Sequence, residues 1–370
     1  MGGHTGALIG CGTIGPSHLK AFADSGVRLA AVCDKVIRRA QEGAAAYRDI
    51  AGNGAAVAGG AACYCDYRKM LDEVKPGIVA VATESGSHAE ITVECLNAGA
   101  HVICEKPMAL STADADAMIA AAKKTGKKLT VCFQNRFNAP VKRLRAAAGQ
   151  GRFGRLLHGA VQVRWHRGPS YYRRDSWRGT WEHDGGTLMN QCIHGIDLLQ
   201  WIMGEDAVRV QAVTRRFTRP IEAEDFGAAV VEFAGGAVGI IEGTACVYPG
   251  DLGQTLSIFG EKGTAVVGGL AVSRLETWHL ADEEAAGKTC EPEPADSSGV
   301  YGNGHSELFA DFVSAIDNNR EPLTSGLGGK KALEIVLAIY MSQKLGRAVD
   351  IPCNFSTADM QGYFGSGTEC

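Results

Sequence analysis

The feature that most constrains the fold of this chain is a glycine-rich turn near its start, Gly10-Cys11-Gly12-Thr13-Ile14-Gly15. It lies between a short apolar strand, residues 7–9, and a helix that opens at Pro16. In this setting the first glycine allows a tight turn, the second lets a pyrophosphate approach the backbone, and the third lets helix and strand pack closely. The turn therefore predicts a dinucleotide site in which its own residues contact the cofactor, namely Gly10, Gly12, Thr13, Ile14 and Gly15.

An acidic residue stands where a ribose contact is expected. The next predicted strand covers residues 28–33 and ends at Asp34, about 20 residues beyond the last glycine. A carboxylate at this position hydrogen-bonds the adenosine ribose and repels a 2′-phosphate, so the sequence predicts NAD rather than NADP. Lys35, which we also expect to contact the cofactor, and Arg38 lie close enough to moderate that preference.

Helical and strand patterns alternate from the start of the chain to Phe133. The spacing predicts helices over residues 36–50, 67–74, 87–98 and 112–125, and strands over 78–82, 101–104 and 129–133. A loose glycine- and alanine-rich segment covers residues 51–62. Strands that alternate with helices form a parallel sheet covered on both faces. Residues 1–133 are therefore predicted to be a Rossmann domain, a doubly wound α/β fold that binds NAD.

The pattern changes after Phe133. A helix over residues 139–148 is followed by strands predicted over 157–165, 208–217, 227–233, 237–246, 255–259 and 264–267. A loop over 281–304 and helices over 306–318 and 330–345 end the chain. We expect residues 134–370 to form an α+β domain for substrate binding and oligomerisation, with an open, mainly antiparallel sheet.

Composition excludes several classes of protein. The net charge is -4, with no basic excess, which argues against nucleic acid as a partner. No apolar run approaches the ~20 residues of a membrane span, and a strand begins too early to leave room for a signal peptide. Many of the 12 cysteines lie within predicted strands and helices, and no C-x-x-C pair occurs. We therefore expect a reduced, cytoplasmic protein without a structural metal.

A polar stripe lies on an otherwise apolar helix that is predicted over residues 184–203, with Asp184 and Thr187 as candidate caps. Steps of four and three residues place four side chains on one face of this helix: Asn190, His194, Asp197 and Trp201. Buried polar groups need partners. The face is therefore either a core network in which Asp197 satisfies His194, or one wall of an active site.

A lysine stands at the carboxyl end of the strand over residues 101–104, within Glu105-Lys106-Pro107. The carboxyl ends of strands border the ligand crevice of such sheets. A lysine held there can bind a substrate hydroxyl and stabilise developing negative charge. An ordinary surface turn could contain the same three residues.

These features together resemble the glucose–fructose oxidoreductase / inositol dehydrogenase (Gfo/Idh/MocA) family over nearly the whole chain. The resemblance rests on the glycine-rich turn, Thr83 with His88, the Glu-Lys-Pro triplet and the His194 helix. It implies that the catalytic residues are Lys106, His194 and Asn190. It assigns further residues to the cofactor, namely Thr83, His88, Glu105, Lys106 and Asn135. The residues that it assigns to the substrate are Arg136, Tyr172, Trp177, Arg178, Asn190 and His194.

The resemblance also has implications for assembly and substrate. In this family the C-terminal segment returns to the first domain, and another subunit covers the open sheet, which implies a homodimer or homotetramer. The segment Asn190-Gln191-Cys192-Ile193-His194, with residues 134–138 and 177–181, looks most like the branch that oxidises C3 of sugars, glycosides or nucleotide sugars.

Two departures from the family pattern bear on the chemistry. Glu84 replaces a proline that often follows Thr83. Inositol dehydrogenases usually carry aspartate where this chain has Asn190. Asparagine cannot act as an acid or base, so proton transfer falls to His194 and Lys106.

A dense group of basic residues precedes the stripe, namely Arg164, His166, Arg167, Arg173, Arg174 and Arg178. It predicts either a solvated or subunit-contacting face, or recognition of an anionic substrate group such as a uronate or a diphosphate. Tyr171 and Tyr172 could stack on a sugar ring or on an aromatic aglycone.

The leading hypothesis is an NAD-dependent dehydrogenase that oxidises a secondary ring hydroxyl, at C3 of a pyranoside, in a crevice between the domains. His194 takes the hydroxyl proton, and Lys106 stabilises the alkoxide or itself serves as the base. Asn190 holds the sugar, and Asp197 fixes the tautomer of His194. The alternatives are an inositol dehydrogenase, an NAD-dependent glycosidase that acts by oxidation and elimination, and a non-catalytic NAD-binding sensor.

Overall fold

The structure, a computed structural model, describes residues 3–52, 60–286 and 304–365. Their contacts group the chain into two compact units. The first unit draws on Met1–Ala109, Asp114–Gln134 and Asn303–Gly329, and the second on Leu110–Ala113, Asn135–Gly302 and Lys330–Cys370. Neither unit is one contiguous segment.

The first unit contains six strands, β1 (Thr5–Ile9), β2 (Arg28–Cys33), β3 (Ala62–Tyr64), β4 (Ile78–Val81), β5 (His101–Cys104) and β6 (Leu129–Val131). They form one parallel sheet in the order β3-β2-β1-β4-β5-β6. β4 is buried throughout, as expected for an apolar strand in a sheet covered by helices. The helices that alternate with the strands are α1 (Gly15–Asp24), α2 (Ile37–Ala51), α3 (Tyr67–Val74), α4 (His88–Asn97) and α5 (Thr112–Thr125).

This strand order and alternation confirm the predicted Rossmann fold. The prediction of a loose segment over residues 51–62 was wrong at its end, where β3 pairs with β2. A strand of three residues in glycine- and alanine-rich sequence offers too few side chains for its period to be recognised. Residues 53–59 of that segment lie outside the described residues. A later helix, α10 (Gly304–Asp317), also belongs to the first unit.

The second unit contains eight strands, β7 (Leu156–Arg164), β8 (Ala207–Arg215), β9 (Phe226–Phe233), β10 (Val238–Thr244), β11 (Gly253–Gly260), β12 (Gly263–Gly268), β13 (Arg274–Leu280) and β14 (Val349–Asp350). Their order is β13-β12-β11-β7-β10-β9-β8-β14. β7 and β10 are parallel, and the other pairs are antiparallel. The predicted mainly antiparallel sheet is therefore confirmed. β13 was not predicted, because its polar residues and a register shift against β12 break strict alternation.

The helices in this part of the chain are α6 (Ala139–Gly149), α7 (Pro169–Arg173), α8 (Ile193–Met203), α9 (Ala281–Ala285) and α11 (Gly326–Leu345). α9 occupies the start of the predicted 281–304 loop, and residues 287–303 of that loop lie outside the described residues. Across the described parts of the chain, no helix is both long and apolar enough to cross a membrane. The ten cysteines in those parts are free thiols.

Helix α8 packs closely on the second sheet. A Cβ added at Gly159 of β7 would lie 2.7 Å from Leu199, and one added at Gly195 of α8 would lie 2.7 Å from Val161. Both glycines therefore permit an approach of helix to strand that any side chain would block. This packing fixes the depth of the helix that carries His194.

The predicted helix over residues 184–203 is divided. A π-helical turn, Leu188–Cys192, precedes α8, and such turns occur frequently at functional sites. Thr187, one of the two predicted caps, takes the N-cap position of this turn but makes no side-chain cap hydrogen bond there. The Leu188 N–H is instead bound by Glu224, whose Oε1 accepts it at 2.7 Å. Because Glu224 is distant in sequence from the turn that it caps, no local sequence pattern predicts this contact.

Candidate active site

The first glycine of the turn is required by its backbone geometry. Gly10 has a φ of +96°, and a Cβ added there would lie 2.4 Å from the carbonyl oxygen of Ala82. The third glycine is less constrained than predicted, because a Cβ at Gly15 would meet Gly10 O at 3.9 Å, an ordinary contact.

The open side of the turn suits a phosphate group. Gly12 and Thr13 are exposed and Ile14 is half-buried, just before the N-terminus of α1. A Cβ added at Gly12 would meet no described atom within 4 Å. Helix N-termini favour anions because their N–H groups point outward. These residues therefore fit a bound pyrophosphate.

Asp34 holds the backbone of the glycine-rich turn, and it also stands where the ribose contact is predicted. Its side chain is buried, with Oδ2 accepting the Cys11 N–H at 2.9 Å and Oδ1 accepting the Val36 N–H at 2.9 Å. Lys35 lies at the surface, with its Nζ 3.7 Å from Glu84 Oε1. The Asp34 carboxylate thus fixes the backbone on both sides of the predicted cofactor site.

His88 connects the loop after β4 to the loop after β5. Its ring is buried, with Nδ1 2.8 Å from the carbonyl oxygen of Pro107 and Nε2 3.1 Å from that of Thr83. Burial lowers the pKa of His88, against the hydrogen bonds to the two carbonyl oxygens, which raise it. In this structure the imidazole contacts the loop that carries Lys106, which follows β5 as predicted.

A buried triad of Glu105, His18 and His305, which was not predicted from the sequence, supports Lys106. Glu105 Oε2 accepts the backbone N–H of Lys106 at 3.1 Å, and Glu105 Oε1 lies 2.9 Å from His18 Nε2 and 3.5 Å from His305 Nε2. Burial alone would raise the pKa of the Glu105 carboxyl, but hydrogen bonds from the two histidines outweigh burial and hold that pKa well below its usual range. Burial also lowers the pKa of His18. The one sign of this triad in the sequence is His18, three residues after the last glycine of the turn.

The same triad is the one group of His, Cys, Asp or Glu donors in the described residues whose spacing could hold a metal, with its donor atoms within 4.8 Å of one another. Structural zinc sites take four ligands. Glu105 is already engaged by His18 and by the Lys106 N–H, which fits a support for the Lys106 loop better than a metal centre.

Asn190 lies in the π-helical turn, and both ends of its amide are held. Its Nδ2 donates to Asp184 Oδ1, and its Oδ1 accepts from Gln191 Nε2 at 2.6 Å. Asp184 is buried and also accepts the Gly179 N–H at 2.7 Å. Asp184, predicted only as a helix cap, therefore orients the amide next to the helix of His194. His194 itself is half-buried, four residues further along.

Gln191 extends this chain of hydrogen bonds. Its Nε2 also donates to the Tyr171 hydroxyl at 2.9 Å, and its Oε1 accepts from Arg167 Nε at 2.8 Å. The Tyr171 hydroxyl accepts from Arg178 at 2.6 Å. The chain of bonds thus runs from Asn190 to two arginines, and satisfied networks of this kind fix side-chain geometry.

Two predictions about Arg136 and Asp197 need correction. Arg136 is 2% exposed, and its guanidinium donates to both carboxylate oxygens of Asp197, at 2.8 and 2.5 Å. It also lies over the Trp201 ring. Asp197 therefore holds Arg136 rather than the tautomer of His194, and Arg136 serves the core rather than the substrate. Its neighbour Asn135 is also buried.

The aromatic and basic residues before the stripe are ordered by one another. The Arg178 guanidinium lies 4.5 Å from the ring centroids of both Tyr171 and Trp177, and Asp175 accepts from it at 3.0 Å. Tyr172 is buried, and burial raises the pKa of its hydroxyl. These contacts give the predicted substrate residues fixed positions.

Part of the predicted basic group is paired with carboxylates. Arg164 pairs with Glu242 at 2.8 Å, and Arg167 pairs with Asp251 at 3.1 Å. Arg173 and its neighbour Arg174 remain exposed.

Comparison with known proteins places these features in one family. Residues 5–133 match the oxidoreductase family with an NAD-binding Rossmann fold, and residues 141–266 match the GFO/IDH/MocA C-terminal domain. The WlbA dehydrogenase from Bordetella pertussis, solved with NADH and UDP-GlcNAcA, is 34% identical with a TM-score of 0.82 over 95% of this chain and 99% of its own.

Two curated relatives are also dehydrogenases. D-apiose dehydrogenase from Paraburkholderia graminis is 28% identical over 94% of this chain and 89% of its own length. Myo-inositol 2-dehydrogenase from Thermotoga maritima is 28% identical over 78% and 84%, respectively. With the glycine-rich turn, the Lys106 loop and the Asn190 network in place, the chain belongs to the GFO/IDH/MocA family of NAD-dependent oxidoreductases that act on sugars and polyols.

Proposed function

We propose that this protein oxidises a secondary ring hydroxyl, at C3, of a sugar, glycoside or nucleotide sugar to a ketone. Bound NAD supplies the hydride acceptor. The observation that carries the proposal is the chain of hydrogen bonds that fixes Asn190 on the turn before His194. The helix is otherwise apolar, so its packing does not require an amide that is hydrogen-bonded at both ends.

In this proposal His194 removes the hydroxyl proton, for which an imidazole is suited near neutral pH. Lys106 stabilises the developing alkoxide by its positive charge. Asn190 cannot exchange a proton, and it binds the sugar in one orientation because Asp184 and Gln191 hold its amide.

The relatives support a sugar substrate and leave a second candidate. WlbA was solved with a nucleotide sugar, and the curated relatives include a dehydrogenase for apiose and one for myo-inositol. An inositol dehydrogenase is therefore the second candidate. Asn190 favours the first, since the resemblance associates aspartate at this position with inositol oxidation.

A substrate panel tests the proposal. Neutral glycosides, uronates, nucleotide sugars and myo-inositol are incubated with NAD, and NADH absorbance and product mass are recorded. We expect NADH to form with a sugar product that has lost two hydrogens. Lys106→Met is the control variant and should lose ~10²–10³ in turnover while it still binds NAD. Turnover of myo-inositol alone would favour the second candidate, and no turnover of any compound would contradict both.

We further propose that the protein assembles through the outer face of the second sheet. Three neighbouring strands present apolar side chains there that are 43–47% exposed, Val213, Val230 and Ile240. Burial between subunits would remove this surface from water. Light scattering at micromolar concentration should give a dimer or tetramer, and a monomer would contradict this assignment.

A further inference from the structure

A cavity of about 550 Å³ opens within the second unit, in contact with the predicted substrate residues Tyr172 and Arg178. Arg178 donates to Tyr171, and Tyr171 accepts from Gln191, which holds Asn190. A continuous chain of hydrogen bonds therefore joins the cavity wall to the amide next to the His194 helix. The volume is in the range that small-molecule sites occupy.

The wall of this cavity is strongly basic. Four of its side chains are arginines, namely Arg173, Arg178, Arg216 and Arg219. Arg178 is balanced by Asp175. Among the residues that the structure describes, no carboxylate pairs with the other three. The one carboxylate in the wall, Glu222, accepts the Trp181 N–H at 3.2 Å. The excess of positive charge is local, because the whole chain has a net charge of -4.

Two of these guanidinium groups are held by neutral partners. Arg216 donates to the carbonyl oxygens of Ile221 at 3.0 Å and Phe364 at 2.8 Å, and Arg219 donates to that of Ala245 at 2.9 Å. Carbonyl groups orient a guanidinium without cancelling its charge. The remaining N–H donors are thus pre-positioned for an acceptor with negative charge, which arginine binds through paired hydrogen bonds.

We propose that this cavity binds an oxyanion carried by the substrate, either the phosphate of a nucleotide sugar or the carboxylate of a uronate. The proposal rests on the proposed function and narrows its substrate class to anionic sugars. Arg173, Arg216 and Arg219 become residues that determine specificity. A neutral glycoside would leave their charges unmatched and gain less from binding.

Calorimetry at low ionic strength with the full chain saturated with NAD, which occupies the glycine-rich turn, tests the site directly, using inorganic pyrophosphate and glucuronate as probes. Arg219→Gln and Arg173→Gln remove one charge each from the wall. Arg174→Gln is the matched control, because Arg174 is the exposed neighbour of Arg173 and is not part of the wall. We expect pyrophosphate to bind the wild type and to bind each wall variant about tenfold more weakly, with the control unchanged.

The two probes identify the source of the oxyanion. A loss confined to pyrophosphate indicates a phosphate group, and a loss confined to glucuronate indicates a carboxylate. Binding of neither probe, or equal affinities in the wild type and both wall variants, would overturn the proposal. Arg219→Lys keeps the charge and should retain most of the affinity, which separates loss of the site from loss of the fold.

Turnover then separates this proposal from the function on which it depends. In the wall variants KM for an anionic sugar should rise more than KM for a neutral glycoside. If pyrophosphate binding depends on the wall arginines but no sugar is turned over, the proposed function is contradicted and the oxyanion site is not. If neutral sugars are turned over but neither probe binds, the oxyanion site is contradicted and the proposed function is not.

Discussion

The two units of the chain hold their functional groups in different ways. In the first, side chains hold the backbone, since Asp34 accepts two backbone N–H groups and His88 faces two carbonyl oxygens. In the second, side chains hold other side chains, since Asn190 is fixed by Asp184 and Gln191.

This difference determines which amino-acid substitutions each unit tolerates. A backbone site allows few substitutions, because even one carbon at Gly10 would collide with Ala82. A network of side chains can be rebuilt by exchanging its members, with the fold unchanged. We therefore infer that the first unit keeps the cofactor constant, while the second determines which sugar is bound.

The largest expected effect lies in the second unit, at His194. His194→Asn should reduce turnover by ~10²–10⁴ and leave the melting temperature nearly unchanged. The wild-type rate should fall in acid as the imidazole becomes protonated, and this acid limb should be absent from the residual activity of the variant. Rates are measured by NADH absorbance across pH, with unfolding followed by circular dichroism. A variant that melts early but keeps its activity per folded molecule would make His194 a core residue.

A smaller effect is expected at Asp184, which acts through Asn190. Asp184→Asn leaves one oxygen for two donors, the Asn190 amide and the Gly179 N–H, so the amide is no longer held in one orientation. We therefore expect kcat to fall about tenfold while NAD affinity stays constant. Asp206→Asn is the control, because Asp206 is an exposed partner of Lys331. Equal kcat values in the two variants would show that the orientation of Asn190 is unimportant for turnover.

The corresponding change in the first unit should affect the cofactor instead. Asp34→Asn keeps one acceptor but removes the charge that repels a 2′-phosphate, so the preference for NAD over NADP should narrow about tenfold, with kcat at saturating NAD little changed. Calorimetry with both dinucleotides measures the ratio. Tighter binding of NADP than NAD by the wild type would reverse our assignment of Asp34.

The last prediction concerns stability rather than turnover, at the Glu224 cap of the turn before the His194 helix. Burial raises the pKa of Glu224 to about 8, against hydrogen bonds from Leu188 and Tyr340 that lower it. The folded protein therefore keeps a proton that the unfolded chain loses above its ordinary pKa of 4.5. Stability should fall between these two pKa values by about 1.4 kcal/mol per pH unit and level off above them.

Urea unfolding across that pH range checks this prediction. Glu224→Gln cannot lose a proton, so its stability should lack this part of the pH dependence, while the side chain can still accept the Leu188 N–H. An identical slope in the variant and the wild type would mean that Glu224 is charged in the folded protein.

The same difference explains what could be predicted from the sequence. The glycine-rich turn, Asp34 and Lys106 could be predicted as candidates because a backbone site demands particular residues at particular spacings. The roles of Glu224 and His305 were not found, because their partners are distant in the chain. The pairing of Asp184 with Asn190 was not found, because residues six apart do not face each other in a regular helix. Helical spacing placed Asp197 with His194, whereas in the fold Arg136 competes for Asp197 and holds it.

The most direct test of the proposed reaction follows one hydrogen atom. The best substrate of the panel is prepared with deuterium at C3 and incubated with NAD and the wild-type protein, and the mass of the NADH is measured. If the protein oxidises C3, the deuterium is found in the NADH, and the ketone product contains none. Unlabelled NADH together with a product that keeps its deuterium would show that another carbon is oxidised and would contradict the account.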